Sequence, residues 1–178
     1  LNFTINKNKF VFDSINYDLI YGLPFQTIES INATIEKVKL LRPDRIAFYS
    51  YAHVPWIKPA QRGYSEKDLP EPETKRKLYE TGREMLEWAG YLEIGMDHFA
   101  LPTDSLFKAA GTGKLHRNFM GYTSGKTRLL VGLGASSISD SWTAFAQNVK
   151  SVEGYLEKVN AGQLPIFRGH LLTAEDLI

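Results

Sequence analysis

Apolar and polar residues alternate with two different periods over the first hundred positions. Residues 14–21 alternate at every second position and are rich in Ile and Tyr, which predicts a strand. Ile28 and the apolar residues three, seven and ten positions after it fall on one face of a predicted helix that ends before Pro43. Residues 45–52 are almost wholly apolar and aromatic, which is typical of a strand covered on both faces.

A second helix and a third strand continue this order after a loop over residues 53–69. Pro72 stands where the first helical residue should be, and Gly90 suits the position just past the helix end. Residues 91–97 form the third predicted strand. Because a crossover between parallel strands needs a helix, this order of elements predicts a parallel βαβ sheet and an α/β fold.

The pattern changes after about residue 100, which is the best candidate for a domain boundary. Thr103 is the predicted N-cap of a short helix, and residues 127–133 form a predicted strand. A further helix with apolar residues at helical spacing ends at Gly162. Residues 164–171 are a final predicted strand.

The composition is that of an ordinary globular domain, with 178 residues, 43% apolar and 23% charged. A net charge of +1 gives no long-range attraction for nucleic acid, and no apolar run is long enough to span a bilayer. There is no cysteine, so these residues supply neither a disulfide nor a thiolate ligand. We expect a cytoplasmic protein. We also expect a fragment of a longer protein, because the chain starts without Met and stops just after the helix-start pattern at Thr173.

Ligands of parallel sheets bind at the carboxyl ends of the strands, where this sequence places two histidines and a carboxylate. His53 follows the second strand, and Asp97 and His98 follow the third. They suit a metal-dependent hydrolase or an acid–base pair, or they line a pocket as hydrogen-bonded side chains. Asp18 stands inside a strand that we expect to be buried, so it either pairs with an Arg or binds a ligand.

A modest basic cluster in the later part of the chain has aromatic residues among its cations. It consists of Lys114, His116, Arg117, Lys126, Phe119 and Tyr122. Binding of one small carboxylate-rich ligand explains the cluster as well as a solvated surface loop does.

Several short motifs occur in an order that resembles a known family. They are NYDLIYGLP at 16–24, YAH at 51–53, GMDHFA at 95–100, HRNFMGYT at 116–123 and GLGASSI at 132–138. Together they resemble the bacterial oxygen-independent coproporphyrinogen III oxidases, which are radical S-adenosylmethionine enzymes of haem biosynthesis. The first motif is shared with haem-chaperone-like paralogues, whereas the GMDHFA and HRNFMGYT motifs resemble the oxidases proper.

The resemblance implies the second part of a partial (β/α) radical-SAM barrel over residues 1–100. Residues 101–178 would form a barrel-capping segment and the start of an α+β or helical C-terminal region. The implied reaction is the oxidative decarboxylation of two propionates of coproporphyrinogen III to vinyl groups, giving protoporphyrinogen IX. The implied cofactors are S-adenosylmethionine and a [4Fe–4S] cluster. The cluster's CxxxCxxC motif belongs to earlier strands that are absent here, so we expect the chain alone to be inactive.

The resemblance also assigns site residues. Asp18, Ile20, Ala52 and Ile138 match positions that contact S-adenosylmethionine, and Arg62 and Arg117 are candidates for the substrate carboxylates. No catalytic residue or metal ligand is assigned in this chain. Expected partners are coproporphyrinogen III and an electron donor, without nucleic acid or membrane, in a full-length monomer. The alternative is a non-catalytic tetrapyrrole-binding or haem-binding module derived from the same fold.

Overall fold

The computed structural model describes residues 14–119 and 121–177. The chain divides into two compact units, one ending at Gly111 and the other beginning at Thr112. None of the helices in the described ranges is both long and apolar enough to cross a membrane.

The first unit begins with a parallel βαβ arrangement, as the sequence predicts. It consists of β1 (Asn16–Tyr21), α1 (Ile28–Leu41) and β2 (Arg45–Ser50), and β1 pairs with β2 in parallel register. Thr27 begins α1 because its side chain accepts from the amide of Ser30, whose hydroxyl in turn accepts from the amide of Thr27.

The long loop after β2 contains two short 3-10 helices, Pro59–Gly63 and Glu66–Asp68. The second predicted helix is α2 (Pro72–Trp88), and Pro72 is its first residue. Gly90 lies just past its end with φ of +88°, a conformation that glycine adopts without steric cost. Both signals that define this helix in the sequence are therefore confirmed.

The third predicted strand is wrong in its extent and in its pairing. The structure has a hairpin here, with β3 (Leu92–Gly95) and β4 (His98–Ala100), and the sheet order is β1-β2-β4-β3. Positive φ angles at Gly95 and Met96 turn the chain back. The antiparallel strand β4, whose Phe99 is fully buried, lies next to β2, where the sequence predicts a parallel third strand.

One face of this sheet packs against α1 and α2. The fully buried members of this core include Ile31, Ile35, Ile46, Phe48, Leu78, Leu86, Tyr91 and Phe99. Gly82 lets α2 approach the sheet closely, because a Cβ at this position would lie 2.5 Å from Cζ of Phe48. The core of the first unit is thus a single layer between the sheet and two helices.

A short helix, α3 (Ser105–Gly111), closes the first unit, but its N-cap is Asp104 and not Thr103. The Asp104 carboxylate accepts from the Leu106 amide at 2.7 Å and binds Nε of Arg45 at 2.8 Å. It also accepts from the Ser14 hydroxyl at 2.9 Å. Its side chain is 1% exposed, so the ion pair with Arg45 offsets the cost of burying this carboxylate.

The second unit holds two small antiparallel sheets and one helix. They are the hairpin β5 (His116–Asn118) with β6 (Gly121–Thr123), the three-stranded sheet β7 (Ile138–Asp140), β8 (Ala144–Asn148) and β9 (Ile166–Leu171), and the helix α4 (Val152–Asn160). A 3-10 helix, Glu175–Leu177, follows Thr173, whose amide and hydroxyl both donate to Asp176. The predicted helix ending at Gly162 and the final predicted strand are confirmed as α4 and β9.

The strand predicted over residues 127–133 is wrong. Only Leu130 forms a bridge there, with Asp140. Gly134 has φ of +95°, and Gly132 lies so close to the carbonyl oxygen of Ile138 that a Cβ would be 2.7 Å from it. Gly132 and Gly134 therefore do not mark the end of a strand. They allow an irregular segment to lie close to β7.

Candidate functional site

The two faces of β1 differ in their surroundings. Tyr17, Leu19 and Tyr21 pack against the core below the helices, whereas Asp18 and Ile20 are exposed on the opposite face. This is the alternation expected of a strand, and it places Asp18 and Ile20 on one side, as the sequence predicts. We call this side of the sheet the open face.

The expectation that Asp18 is buried is wrong. Its Oδ1 accepts from Nδ2 of Asn16 at 2.8 Å at an exposed position. The other carboxylate oxygen has no hydrogen-bond donor among the described residues, so Asp18 can accept a bond from an amine or a hydroxyl of a ligand. No pairing with an Arg is needed to offset burial, because the carboxylate keeps its contact with water.

Three polar side chains, those of Tyr49, His98 and Asp97, lie close together beside these two residues on the open face. Tyr49 is the partner of Ile20 in the parallel register, and its hydroxyl lies 3.4 Å from Nε2 of His98. Nδ1 of His98 lies 3.4 Å from Oδ1 of Asp97. The structure therefore brings His98 and Asp97 together as predicted, and adds Tyr49, which alternation along β2 would have identified.

His53 is not part of this group of side chains. It contacts Tyr51, whose hydroxyl lies 3.3 Å from Nδ1 of His53. No group of three or more His, Asp or Glu side chains suited to a metal ion is present in the described part of the chain. The metal-hydrolase interpretation thus gains no support from the geometry.

Ala52 lies two residues after the end of β2 and is exposed. Gln61 holds this loop, because its Nε2 donates to the Ala52 carbonyl at 3.1 Å and its Oε1 accepts from the Val54 amide at 2.6 Å. The exposed Arg62 donates from Nε to the carbonyl of Pro55 at 3.2 Å. Gln61 thereby fixes the backbone at Ala52, and the cofactor contact assigned to Ala52 stays a prediction.

A groove of about 790 Å³ lies at the α2 side of the same strand ends and includes Tyr21 and Tyr79. Its cations are already engaged: Arg76 pairs with Glu80 at 2.8 Å, and Lys75 donates to the Tyr51 carbonyl at 2.8 Å. Burial raises the pKa of the Tyr79 phenol above its usual value. This groove is therefore a poor site for an anion.

In the second unit, the half-buried Ile138 begins β7 and lines a hollow of about 340 Å³. Phe119 and Phe145 line the same hollow, with their ring centroids 4.9 Å apart in an edge-on arrangement. The guanidinium of the exposed Arg117 lies 5.6 Å from the centroid of the Tyr122 ring. Ile138 thus presents an apolar surface within this unit, and the cofactor contact that the resemblance assigns to it stays a prediction.

A comparison with solved structures gives the class of protein. Coproporphyrinogen III oxidase (HemN) from Escherichia coli, described as a radical SAM enzyme, matches with a TM-score of 0.87 and 44% identity over 93% of this chain and 38% of that chain. The mixed α/β fold of this chain is thus that of part of a radical SAM enzyme. No protein-family model matches the sequence.

Curated relatives identify the particular family. The anaerobic coproporphyrinogen III oxidase 1 of Cereibacter sphaeroides is 45% identical over 93% of this chain, and the oxygen-independent coproporphyrinogen III oxidase of Thermostichus vulcanus is 46% identical over 94%. The chain spans 36% of the first relative and 52% of the second. It is a homologue of the oxygen-independent coproporphyrinogen III oxidases, which are enzymes, so the resemblance seen in the sequence is confirmed.

Proposed function

We propose that this chain is the part of an oxygen-independent coproporphyrinogen III oxidase that forms one wall of its S-adenosylmethionine site. The identity of 44–46% to enzymes of this name over 93–94% of the chain supports the proposal most strongly. The first unit would be the later strands and helices of a partial (β/α) barrel, with the open face turned to the barrel interior.

The residues of the open face fit a ligand that has both polar and apolar parts. Asp18 has a carboxylate oxygen available for an amine or a hydroxyl, and Ile20 next to it offers an apolar surface. Ala52 would contribute backbone groups, because its methyl side chain has no donor or acceptor. Ile138 would contribute an apolar contact. When bound, S-adenosylmethionine with an iron–sulfur cluster would supply the radical that removes a hydrogen atom from the substrate.

The residues of this chain do not fit the cluster itself. A [4Fe–4S] centre is held by cysteine thiolates, and the sequence contains no cysteine. We therefore propose that the 178 residues alone neither assemble a cluster nor turn over substrate.

The proposed substrate is coproporphyrinogen III, and the proposed product is protoporphyrinogen IX. Each of two propionates would give a hydrogen atom to the radical, then release carbon dioxide and pass one electron to an external acceptor, which leaves a vinyl group. Arg62 and Arg117 stay candidates for binding its carboxylates. The enzyme would work in the cytoplasm as a monomer with an external electron donor for its cluster.

A chimera tests this function. The segment of the Escherichia coli homologue that aligns with this chain is replaced by residues 14–178, and anaerobic conversion of coproporphyrinogen III is measured. We expect turnover by the chimera and none by a control from which the segment is deleted. A folded chimera that holds its cluster but forms no vinyl product contradicts the proposal. If it nevertheless binds coproporphyrin III, the non-catalytic binding module is favoured.

A further inference from the structure

Trp142 in the second unit is held in one orientation next to the side chains of Lys126 and His116. Its amide donates to Oδ1 of Asp140 at 2.9 Å, and its indole Nε1 donates to the carbonyl of Thr127 at 2.7 Å. Nζ of Lys126 lies 3.8 Å from the centroid of its ring, and the His116 ring is parallel to it within 5° at 6.0 Å. Trp142 also has φ of +67°, which is costly for an aromatic residue.

Two hollows open beside this indole, and Lys126 lines both of them. One has a volume of about 510 Å³ and is lined by Lys126, Arg128, Ser141 and Trp142. The other has a volume of about 400 Å³, and Lys114, His116, Ser124 and two glycines are among the residues that line it. Both volumes lie in the range of small-molecule sites, and both walls carry hydrogen-bond donors. Arg117, the residue predicted from the sequence, lines neither hollow.

The lysine and arginine side chains of these hollows form no ion pair with the carboxylates that the structure describes. Across residues 14–119 and 121–177, no carboxylate lies within ion-pair distance of Lys114, Lys126 or Arg128. Three cations on α2, by contrast, form ion pairs along the helix, as Lys77 does with Glu73 at 3.1 Å. An anion would therefore gain charge-assisted hydrogen bonds at the hollows without first displacing an acidic side chain.

We propose that Lys126 and Arg128, together with Lys114 and His116 around Trp142, form a subsite for propionate carboxylates of a tetrapyrrole. This inference rests on the proposed function, because it takes its ligand from the proposed substrate. The Lys126 ammonium keeps donors free for a carboxylate while one side of it faces the indole. The fixed indole holds that ammonium in place, which lowers the entropic cost of binding.

The test measures binding of coproporphyrin III, the stable oxidised form of the substrate, to the 178-residue chain by quenching of tryptophan fluorescence. Lys126→Gln and Arg128→Gln remove one cation each. Lys150→Gln is the matched control, because Nζ of Lys150 also lies over an aromatic ring, 5.8 Å from the centroid of Phe167, but outside both hollows. The tetramethyl ester of coproporphyrin III is the probe that lacks carboxylates.

We expect each of the two cluster variants to weaken binding of coproporphyrin III roughly tenfold or more, and Lys150→Gln to change it by less than about twofold. Lys126→Arg should restore most of the affinity, and the ester should bind wild type and Lys126→Gln equally. Because Lys126 and Arg128 are exposed, the substitutions should leave folding intact, which circular dichroism checks.

Two results overturn the subsite. If Lys126→Gln binds coproporphyrin III as tightly as Lys150→Gln does, the carboxylates bind elsewhere, and the proposed function is untouched. If the wild-type chain does not bind coproporphyrin III, the subsite is also rejected. The function of the whole enzyme is then decided by turnover of the chimera, which does not depend on this binding assay.

Discussion

Gly82→Ala is the substitution for which the structure predicts the clearest loss of stability. The new Cβ would lie 2.5 Å from Cζ and 2.6 Å from Cε1 of Phe48. The Phe48 ring is fully buried, and it contacts Tyr21 and Tyr79 with centroid distances of 4.9 Å and 6.0 Å. Because these rings restrict its movement, the clash has to be relieved by shifting α2 from the sheet.

The size of the effect follows from two opposing contributions. Overpacking of a core costs about 1–3 kcal/mol, and contacts this short suggest the upper end of that range. Replacing glycine by alanine inside a helix contributes about 1 kcal/mol of stability. We therefore expect Gly82→Ala to lower the free energy of unfolding by about 2 kcal/mol, measured by urea denaturation followed by circular dichroism.

Two controls separate this cause from others. Gly111→Ala, at the end of α3, should not destabilise, because nothing lies within 4 Å of the added Cβ. Phe48→Leu removes the two atoms that the new Cβ would contact, so Gly82→Ala should be neutral or stabilising in that background. A single Gly82→Ala variant as stable as wild type would refute the reasoning.

Three further predictions concern other parts of the molecule. Asp104→Ala leaves Arg45 without its buried partner and uncaps α3, so it should lower the free energy of unfolding by about 3–5 kcal/mol. Lys39→Ala, which removes an exposed ion pair, should change the free energy of unfolding by less than about 1 kcal/mol. Similar losses for the two variants would contradict this prediction. Burial raises the pKa of Tyr91 to about 12, so the folded state keeps this proton while the unfolded chain loses it above about pH 10, and stability falls as the pH rises. Wild type should lose about 2 kcal/mol more than Tyr91→Phe between about pH 9 and about pH 11.5, and parallel pH profiles in denaturation experiments would argue against it. In the chimera, Asp18→Asn should weaken S-adenosylmethionine binding about tenfold without changing the unfolding midpoint, because Asp18 is exposed; unchanged affinity would remove Asp18 from the site.

Elements with strong local signals were predictable from the sequence. The helix α1 has its capping residues and apolar face in one continuous stretch, and α2 has Pro72 and Gly90 at its two ends. Such signals act within a few residues, so they do not depend on the rest of the fold.

The errors arise where distant residues decide the local structure. The carboxylate of Asp104, which caps α3, also binds Arg45 far away in the chain, and local sequence signals do not reveal this contact. Met96 adopts φ of +48°, which turns one predicted strand into a hairpin, and no propensity of methionine indicates this. Asp18 was expected to be buried from its apolar neighbours, but those neighbours point to the other face.

The candidate site was predictable only in part. The resemblance selected Asp18, Ile20, Ala52 and Ile138 one by one, and their roles stay predictions. Trp142 was missed, because it lies 16 residues beyond Lys126 and only the folded second unit brings them together. Contacts between residues at such separations cannot be read from periodicity.

The strand order of the first unit has a practical consequence. β1 is at one end of the order β1-β2-β4-β3, so among the described strands it pairs on one side only. Its outer rim therefore offers backbone donors and acceptors as a template for an incoming strand. Since Asp18, which we propose as a cofactor contact, lies on that same strand, a strand added at this edge would also come to lie beside Asp18.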